Sequence, residues 1–251
     1  MTIHDSHIHV GQFEQEYYSP KSIFAFLDKM NVSSFAVSST TVCGGNCKNA
    51  IMEIMQLISM AESRCVPVLW ITPQLLKSGQ VDLFVNSEIN WRCVKIHGFH
   101  DWSVPQIEKV IELSGSLGLP LLLHTGGSPN CDAGSYYSLC KSHPHQVFVF
   151  AHSRPVDQTI KVMIECENVW ADTAFTPIED IVQMVRNKLE DRIMWGSDYP
   201  IPHIFYPRQD IGHMYERKVA KLKLAISDIS FCKIVETNFE RFYSKEAPFV
   251  Y

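Results

Sequence analysis

Short apolar runs alternate along this chain with stretches whose apolar positions recur at helical spacing. The first run ends at His9, and others cover residues 35–37, 66–71, 93–97, 120–124, 147–152, 169–172 and 193–198. Between them the pattern predicts helices. Ser19 caps and Pro20 opens one that buries Phe24, Phe26, Leu27 and Met30. A second, over 49–63, carries Ile51, Ile54, Met55, Ile58 and Met60. Further helices are expected at 81–85, 105–118, 136–141, 155–164 and 178–188, and two more near 213–223 and 231–243. Strand and helix in regular alternation imply βαβ units and a parallel sheet. An open doubly wound sheet is the rival, but eight such units with no linker favour an α/β fold closed as a (β/α)8 barrel, which needs about 250 residues. The expectation is a single TIM-type barrel domain over 1–251 with extra C-terminal helices.

Composition narrows the picture. With 46% hydrophobic and 20% charged residues, the chain can build a sizeable core. Its net charge of −5 provides no general basic surface for nucleic acid. No uninterrupted apolar run reaches the roughly 18 residues a membrane span needs. Asp5 and two histidines interrupt the N-terminal run, so no signal peptide is visible. Cys43, Cys47, Cys65, Cys93, Cys131, Cys140, Cys166 and Cys232 are scattered, several inside apolar runs, as reduced thiols of a cytoplasmic protein would be. The loop from Cys43 to Cys47 reads as glycine-rich, with metal or redox chemistry as its alternative.

Chemistry enters where the runs end. Strand side chains alternate with period two, so His7 and His9 face the same side, as do Lys95 and His97. A His-x-His pair is a two-point clamp for a divalent ion. His124, His152 and Asp198 end three other apolar runs. In a barrel these positions share one rim, the C-terminal face where active sites lie. An imidazole or carboxylate there is costly unless paired or ligating.

As an ordered set, His7-x-His9, His124 in Leu-Leu-Leu-His-Thr, His152 in Phe-Ala-His-Ser and Asp198 in Trp-Gly-Ser-Asp-Tyr-Pro resemble the amidohydrolase superfamily. The resembled branch holds metal-dependent hydrolases and decarboxylases, and its final helix is similar to the Asn238-x-x-Arg241-x-Tyr243 segment. The resemblance implies a divalent ion, most often zinc, held by His7, His9, His124 and Asp198. His152 would hold a second ion or stabilise charge on the substrate, and Asp198 would both ligate and shuttle a proton. Lys95 decides the ion count: carboxylated it would bridge two ions, and as a plain ammonium it leaves one, the preferred reading. The strand-four glutamate of the deoxyribonuclease-like branch is replaced by Lys95, which argues against a nucleic-acid substrate.

Arg154 follows His152 where many relatives carry glycine, and could fork onto a carboxylate or phosphate. His97, His100, Trp102, Arg154 and Tyr199 are expected at the substrate, with Ser128, Asn130, Tyr136 and His203 as further rim candidates. The expected activity is hydrolysis of a small amide, lactone or ester, with catalytic roles for Asp198, His152 and Lys95. The alternative is non-oxidative decarboxylation of a small carboxylated substrate. A homo-oligomer is compatible with the sequence, while nucleic-acid and membrane partners are not expected.

Overall fold

A computed structural model of the protein describes residues 2–244. The first strand runs well past His9: β1 spans Ile3–Phe13 and turns back into an unexpected antiparallel strand, β2, Glu16–Tyr18. Gly11, at φ +101°, bends β1 where any Cβ would collide with Thr41 Oγ1 and Glu53 Oε2. The remaining strands are β3 Val32–Ser39, β4 Cys65–Trp70, β5 Cys93–Ile96, β6 Leu121–His124, β7 Phe148–Ala151, β8 Val169–Asp172 and β9 Ile193–Met194. Eight of the nine strands therefore answer to the apolar runs, and one short edge strand, built from Glu16, Tyr17 and Tyr18, does not.

The sheet keeps chain order, β2-β1-β3-β4-β5-β6-β7-β8-β9, with every pair parallel except β1 with β2. Right-handed crossovers that all step the same way place their helices on one face of the sheet. These are α1 Pro20–Lys29, α2 Cys47–Ala61, α3 Pro73–Ser78, α4 Val81–Val85, α5 Val104–Ser116, α6 Tyr137–Ser142, α7 Val156–Glu165 and α8 Ile178–Arg186. Ser19 caps α1 through its bond to Ser22 N, 3.1 Å, with Pro20 in the first turn, as expected. The six-residue α3 has the Thr72-Pro73 start signal but too few apolar positions to show a period. Beyond β9 come α9 Pro202–Phe205, α10 Ile211–Ala225, α11 Asp228–Cys232 and α12 Asn238–Tyr243, the last two joined by a π-helical turn over Lys233–Thr237.

Two hydrophobic clusters result. The larger fills the space between sheet and helices. The smaller gathers Ala36, Val68, Cys93, Leu122, Val149, Ala151 and Met194 from six strands, together with Phe239, Phe242 and Tyr243 of α12. Side chains from strands so far apart in the order meet only because the sheet curls. After β9 the chain continues beside β1: Ser6 N donates to Trp195 O (2.8 Å), Asp198 N to His7 O (2.8 Å) and His9 N to Tyr199 O (2.7 Å). The expected strand over 193–198 is thus two residues of β9 followed by a segment hydrogen-bonded to β1.

All eight cysteines are free thiols. Among the described residues no helix is long and apolar enough to cross a membrane.

Candidate metal-binding active site

Alternation builds the site. Cys93, Leu122 and Met194 belong to the inner cluster, so Lys95, His124 and Asp198, each an even number of residues further on, face the same interior. The cluster forms a dry floor, and the polar side chains stand on it. His7 Nε2 lies 3.2 Å from His9 Nε2 and 3.2 Å from Asp198 Oδ1, and His9 Nε2 lies 3.0 Å from the same oxygen. Lys95 Nζ donates to both imidazoles, at 2.8 Å to His7 and 3.1 Å to His9. Both Nε2 lone pairs are therefore turned toward a positive charge. Asp198 Oδ1, fully buried, is left with no donor.

The other ring nitrogens explain this orientation. His7 Nδ1 donates to Asp172 Oδ2 at 2.8 Å, which fixes its tautomer and turns Nε2 inward. His9 Nδ1 is 3.0 Å from Ser38 Oγ. Asp172 is entirely buried, and its other oxygen accepts from His152 N (2.9 Å) and Ala174 N (3.0 Å). One carboxylate thereby holds both the His7 ring and the turn that carries His152. That turn is backbone-strained, with His152 at φ 72° and Ser153 at φ 51°, and Ser153 Oγ bonds Asp172 O at 2.7 Å.

Burial sets the protonation. It drives His9 down to about 3, helped by Lys95, and His124 down to about 3, helped by Lys95 and Arg154. Burial also lowers His97 and His152 well below the ordinary histidine value. These imidazoles are neutral, the form that ligates. Burial pulls Lys95 down to about 8 against the opposing fields of Asp198 and Asp172. For Asp198 burial works upward, yet the neighbouring His7, His9 and His152 hold its carboxyl well below the usual range. The Asp5 carboxyl is pushed up to about 7 by burial, and its Oδ1 accepts from His7 N and Ser197 N.

Above these groups opens a cavity of about 550 Å³, bordered by His9, Lys95, His97, His124, His152, Arg154 and Asp198. Its upper walls are aromatic, with Trp70, Phe13, Phe99, Phe175 and Phe205. Lys95 Nζ sits 4.5 Å from the Trp70 ring centroid. His97 stacks on His124 at 3.8 Å, and His124 meets His152 edge-on at 4.6 Å.

The residues picked out from sequence divide into two sets. His7, His9 and Asp198 converge on one point, and His7 and His152 also approach each other around Asp172. His124 lines the cavity but joins neither group; its Nε2 donates to Gly126 O (3.2 Å) and its buried Nδ1 has no partner. His97, His100 and Arg154 line the cavity. Trp102 does not: its indole N–H donates to His97 O at 2.9 Å. Tyr199 faces the other side of its segment and stacks flat on Phe26, 3.5 Å between centroids. Ser128, Asn130, Tyr136 and His203 also stay off the cavity wall, and Tyr136 instead donates to His124 O at 3.2 Å. Cys43 lines the cavity, whereas Cys47 turns away and bonds Gln80 Oε1.

Sequence reasoning missed Asp172, Ser38 and Trp70. Asp172 carried a usable signal, because it is the polar end of an otherwise apolar strand, as His124 and His152 nearly are of theirs. Ser38 and Trp70 gave none.

Comparison with known proteins agrees with this architecture. A probable 2-pyrone-4,6-dicarboxylic acid hydrolase from Acinetobacter baumannii, with citric acid bound, superposes with a TM-score of 0.72 at 15% identity, covering 97% of this chain and 99% of that one. A 4-oxalomesaconate hydratase from Rhodopseudomonas palustris gives 0.63 at 11% identity, covering 96% and 95%. A dihydroorotase from Campylobacter jejuni gives 0.63 at 12% identity, covering 96% and 83%. At these identities the likeness is one of fold. Curated protein sequences give no match. A family profile described as Amidohydrolase matches residues 93–245, from the start of β5 past the end of α12, and by that match the chain belongs to the amidohydrolase family.

Proposed function

We propose that the protein is a metal-dependent hydrolase acting on a small amide, lactone or ester, built as one barrel domain closed along the β1 seam. The observation that carries this reading is the convergence of His7 Nε2, His9 Nε2 and Asp198 Oδ1 within 3.0–3.2 Å of one another. Donors around one tetrahedral zinc, at about 2.0–2.1 Å from it, stand roughly 3.3 Å apart. The donor chemistry fits as well: two imidazole Nε2 atoms face the Lys95 ammonium, and a buried carboxylate oxygen lacks any donor. His7, His9 and Asp198 would hold the ion, with His124 as the remaining ligand and His152 left to face the substrate beside a single ion, or to hold a second one. Zinc is the first choice for such an N/O set, and one ion is favoured with Lys95 as an ammonium. A divalent ion supplies Lewis acidity, making water acidic near neutral pH and polarising a carbonyl.

The chain's own groups supply the rest. Asp198, whose carboxyl lies well below the usual range, accepts the proton from the attacking water. His152, kept neutral and fixed through its Nδ1 bond to Ala174 O at 3.1 Å, presents Nε2 to the cavity as a hydrogen-bond acceptor for the attacking water or the substrate. His97, His100 and Arg154 border the space where a substrate would lie, and the aromatic walls exclude water.

A second reading, non-oxidative decarboxylation, is favoured by one observation: Lys95 and Arg154 both line the cavity, so two cations are available to grip a carboxylate. A panel of lactones and hydroxybenzoates, with carbon dioxide measured among the products, separates the two. In either case Asp198→Asn is expected to stay folded and to lose turnover by roughly 10²–10⁴-fold. Full activity in that variant would remove Asp198 from the mechanism. Metal analysis showing two equivalents, with one lost in Lys95→Ala, would overturn the one-ion assignment.

A further inference from the structure

A second cavity, of about 750 Å³, lies on the opposite side of the segment that carries Asp198. Along 195–199 the side chains alternate. Asp198 turns to the catalytic cavity, while Trp195, Ser197 and Tyr199 line the second one. Phe175 and Tyr206 border both, so the partition between the cavities is one side chain thick there.

The far wall is α10, which presents Arg217, Lys218 and Lys221 against a single lining carboxylate, Glu179. No ion pair reaches any of the three cations among the described residues. Lys218 is the innermost. Its ammonium donates to Thr173 O at 2.6 Å and lies 5.2 Å from the Trp195 ring centroid, which leaves N–H donors unused. Burial pulls it down to about 8, against the fields of Asp172, Asp5 and Asp198, so an anion beside it would be welcome. The start of α8 contributes Pro177, Ile178 and Glu179 to the same cavity, and no side chain caps its first-turn amides. In a chain of net charge −5, three unpaired cations around one aromatic hollow are a local inversion of the overall balance.

We infer that this second cavity binds a small ring-bearing oxyanion, its charge met by Lys218, Arg217 and Lys221 and its ring lying against Phe175 and Tyr206, and that occupancy stiffens the Asp198 segment from behind. The inference goes beyond the metal-hydrolase reading and does not depend on it, since neither metal nor turnover enters its test. Benzoate, phenyl phosphate and inorganic phosphate serve as probes in calorimetric titration of the full chain. Benzoate or phenyl phosphate is expected to bind saturably. Inorganic phosphate should bind at least about tenfold more weakly, because the aromatic walls then contribute nothing. The exposed double variant Arg217→Ser/Lys221→Ser should weaken ring-bearing probes by about 10- to 100-fold. Arg154→Ala, in the catalytic cavity, should leave them unchanged. Amide hydrogen exchange over 195–199 should slow on saturation of the wild-type chain and not in the double variant.

Absence of saturable binding overturns the site. So does loss of binding in Arg154→Ala with retention in the double variant, which would place the probe in the catalytic cavity. Equal affinity for inorganic phosphate would reduce the site to an ionic patch. Binding with unchanged exchange over 195–199 would overturn the link to Asp198.

Discussion

β1 carries His4 near one end and His7 and His9 toward the other, and all three are buried, at 5%, 3% and 4% exposure. Their surroundings differ in kind. His4 stacks on Phe239 of α12, 4.8 Å between centroids and 15° from parallel, and its Nε2 reaches the exposed Glu240 at 3.3 Å. Among the described residues it joins no group of converging ligand atoms. His7 has a buried carboxylate, Asp172, behind its Nδ1, and that bond aims its free nitrogen at His9, Asp198 and Lys95. Burial alone therefore does not distinguish a packing histidine from one in a converging donor set. What distinguishes them is an acceptor that fixes one ring nitrogen so that the other can meet a set of converging donors.

The comparison can be broken most directly at His7. His7→Ala is expected to lower metal affinity by more than about 100-fold, measured by chelator competition, since it removes a donor outright. Affinity unchanged in that variant would leave the two ends of β1 equivalent. Asp172→Asn tests the orienting bond and should cost about 10- to 100-fold in metal affinity while the fold persists, with Asp172→Glu recovering part of the loss. A variant with wild-type affinity would show that His7 needs no backing.

A smaller effect concerns pH. In the folded, metal-free chain His9 and His124 stay neutral down to about 3, whereas an unfolded histidine takes a proton near 6.5. The unfolded state therefore binds more protons between those values, and stability falls as pH drops from about 6.5 toward 3. Asp5, raised to about 7, works the other way between about 7 and 3.8, so it softens the slope without reversing two histidines. Urea denaturation of the metal-free chain across this range measures the slope, and a stability that rises on acidification would contradict the neutral histidine cluster. The smallest effect belongs to His4: His4→Ala should cost about 1–3 kcal/mol of stability and leave metal affinity untouched. Any loss of metal affinity there would join the two ends into one functional unit.

Much of this was legible in the chain because it follows from period two. The runs ending at His9, His124, His152 and Asp198 mark strands, and alternation alone puts His7 with His9 and Lys95 with His97. The structure places His7, His9, Lys95 and His124 where that rule sends them, whereas His152 follows the inward-facing Ala151 and reaches the cavity through its positive-φ turn rather than by alternation. Beyond the strand ends the rule stops. Trp102 and Tyr199 sit on segments whose direction is set by distant partners, the His97 carbonyl and the Phe26 ring, so their outward turn had no sequence signature. Asp172 was readable as a polar strand end, but its pairing with His7 spans 165 positions and depends on which strands the curled sheet brings together. The β2 hairpin escaped because Glu16-Tyr17-Tyr18 is too short to show alternation.

The hydrogen bonds between β1 and the 195–199 segment have a consequence for how the protein comes into being. They join residues 189 apart in the chain, Ser6 with Trp195, while every other neighbouring pair of strands is consecutive or nearly so. His7 and His9 stand on one side of that seam and Asp198 on the other. A nascent chain can thus lay down strand after strand, each on the last, while its donor set stays divided between its two extremes. The donor set comes together at the final stitch, so an incomplete chain holds no assembled cluster.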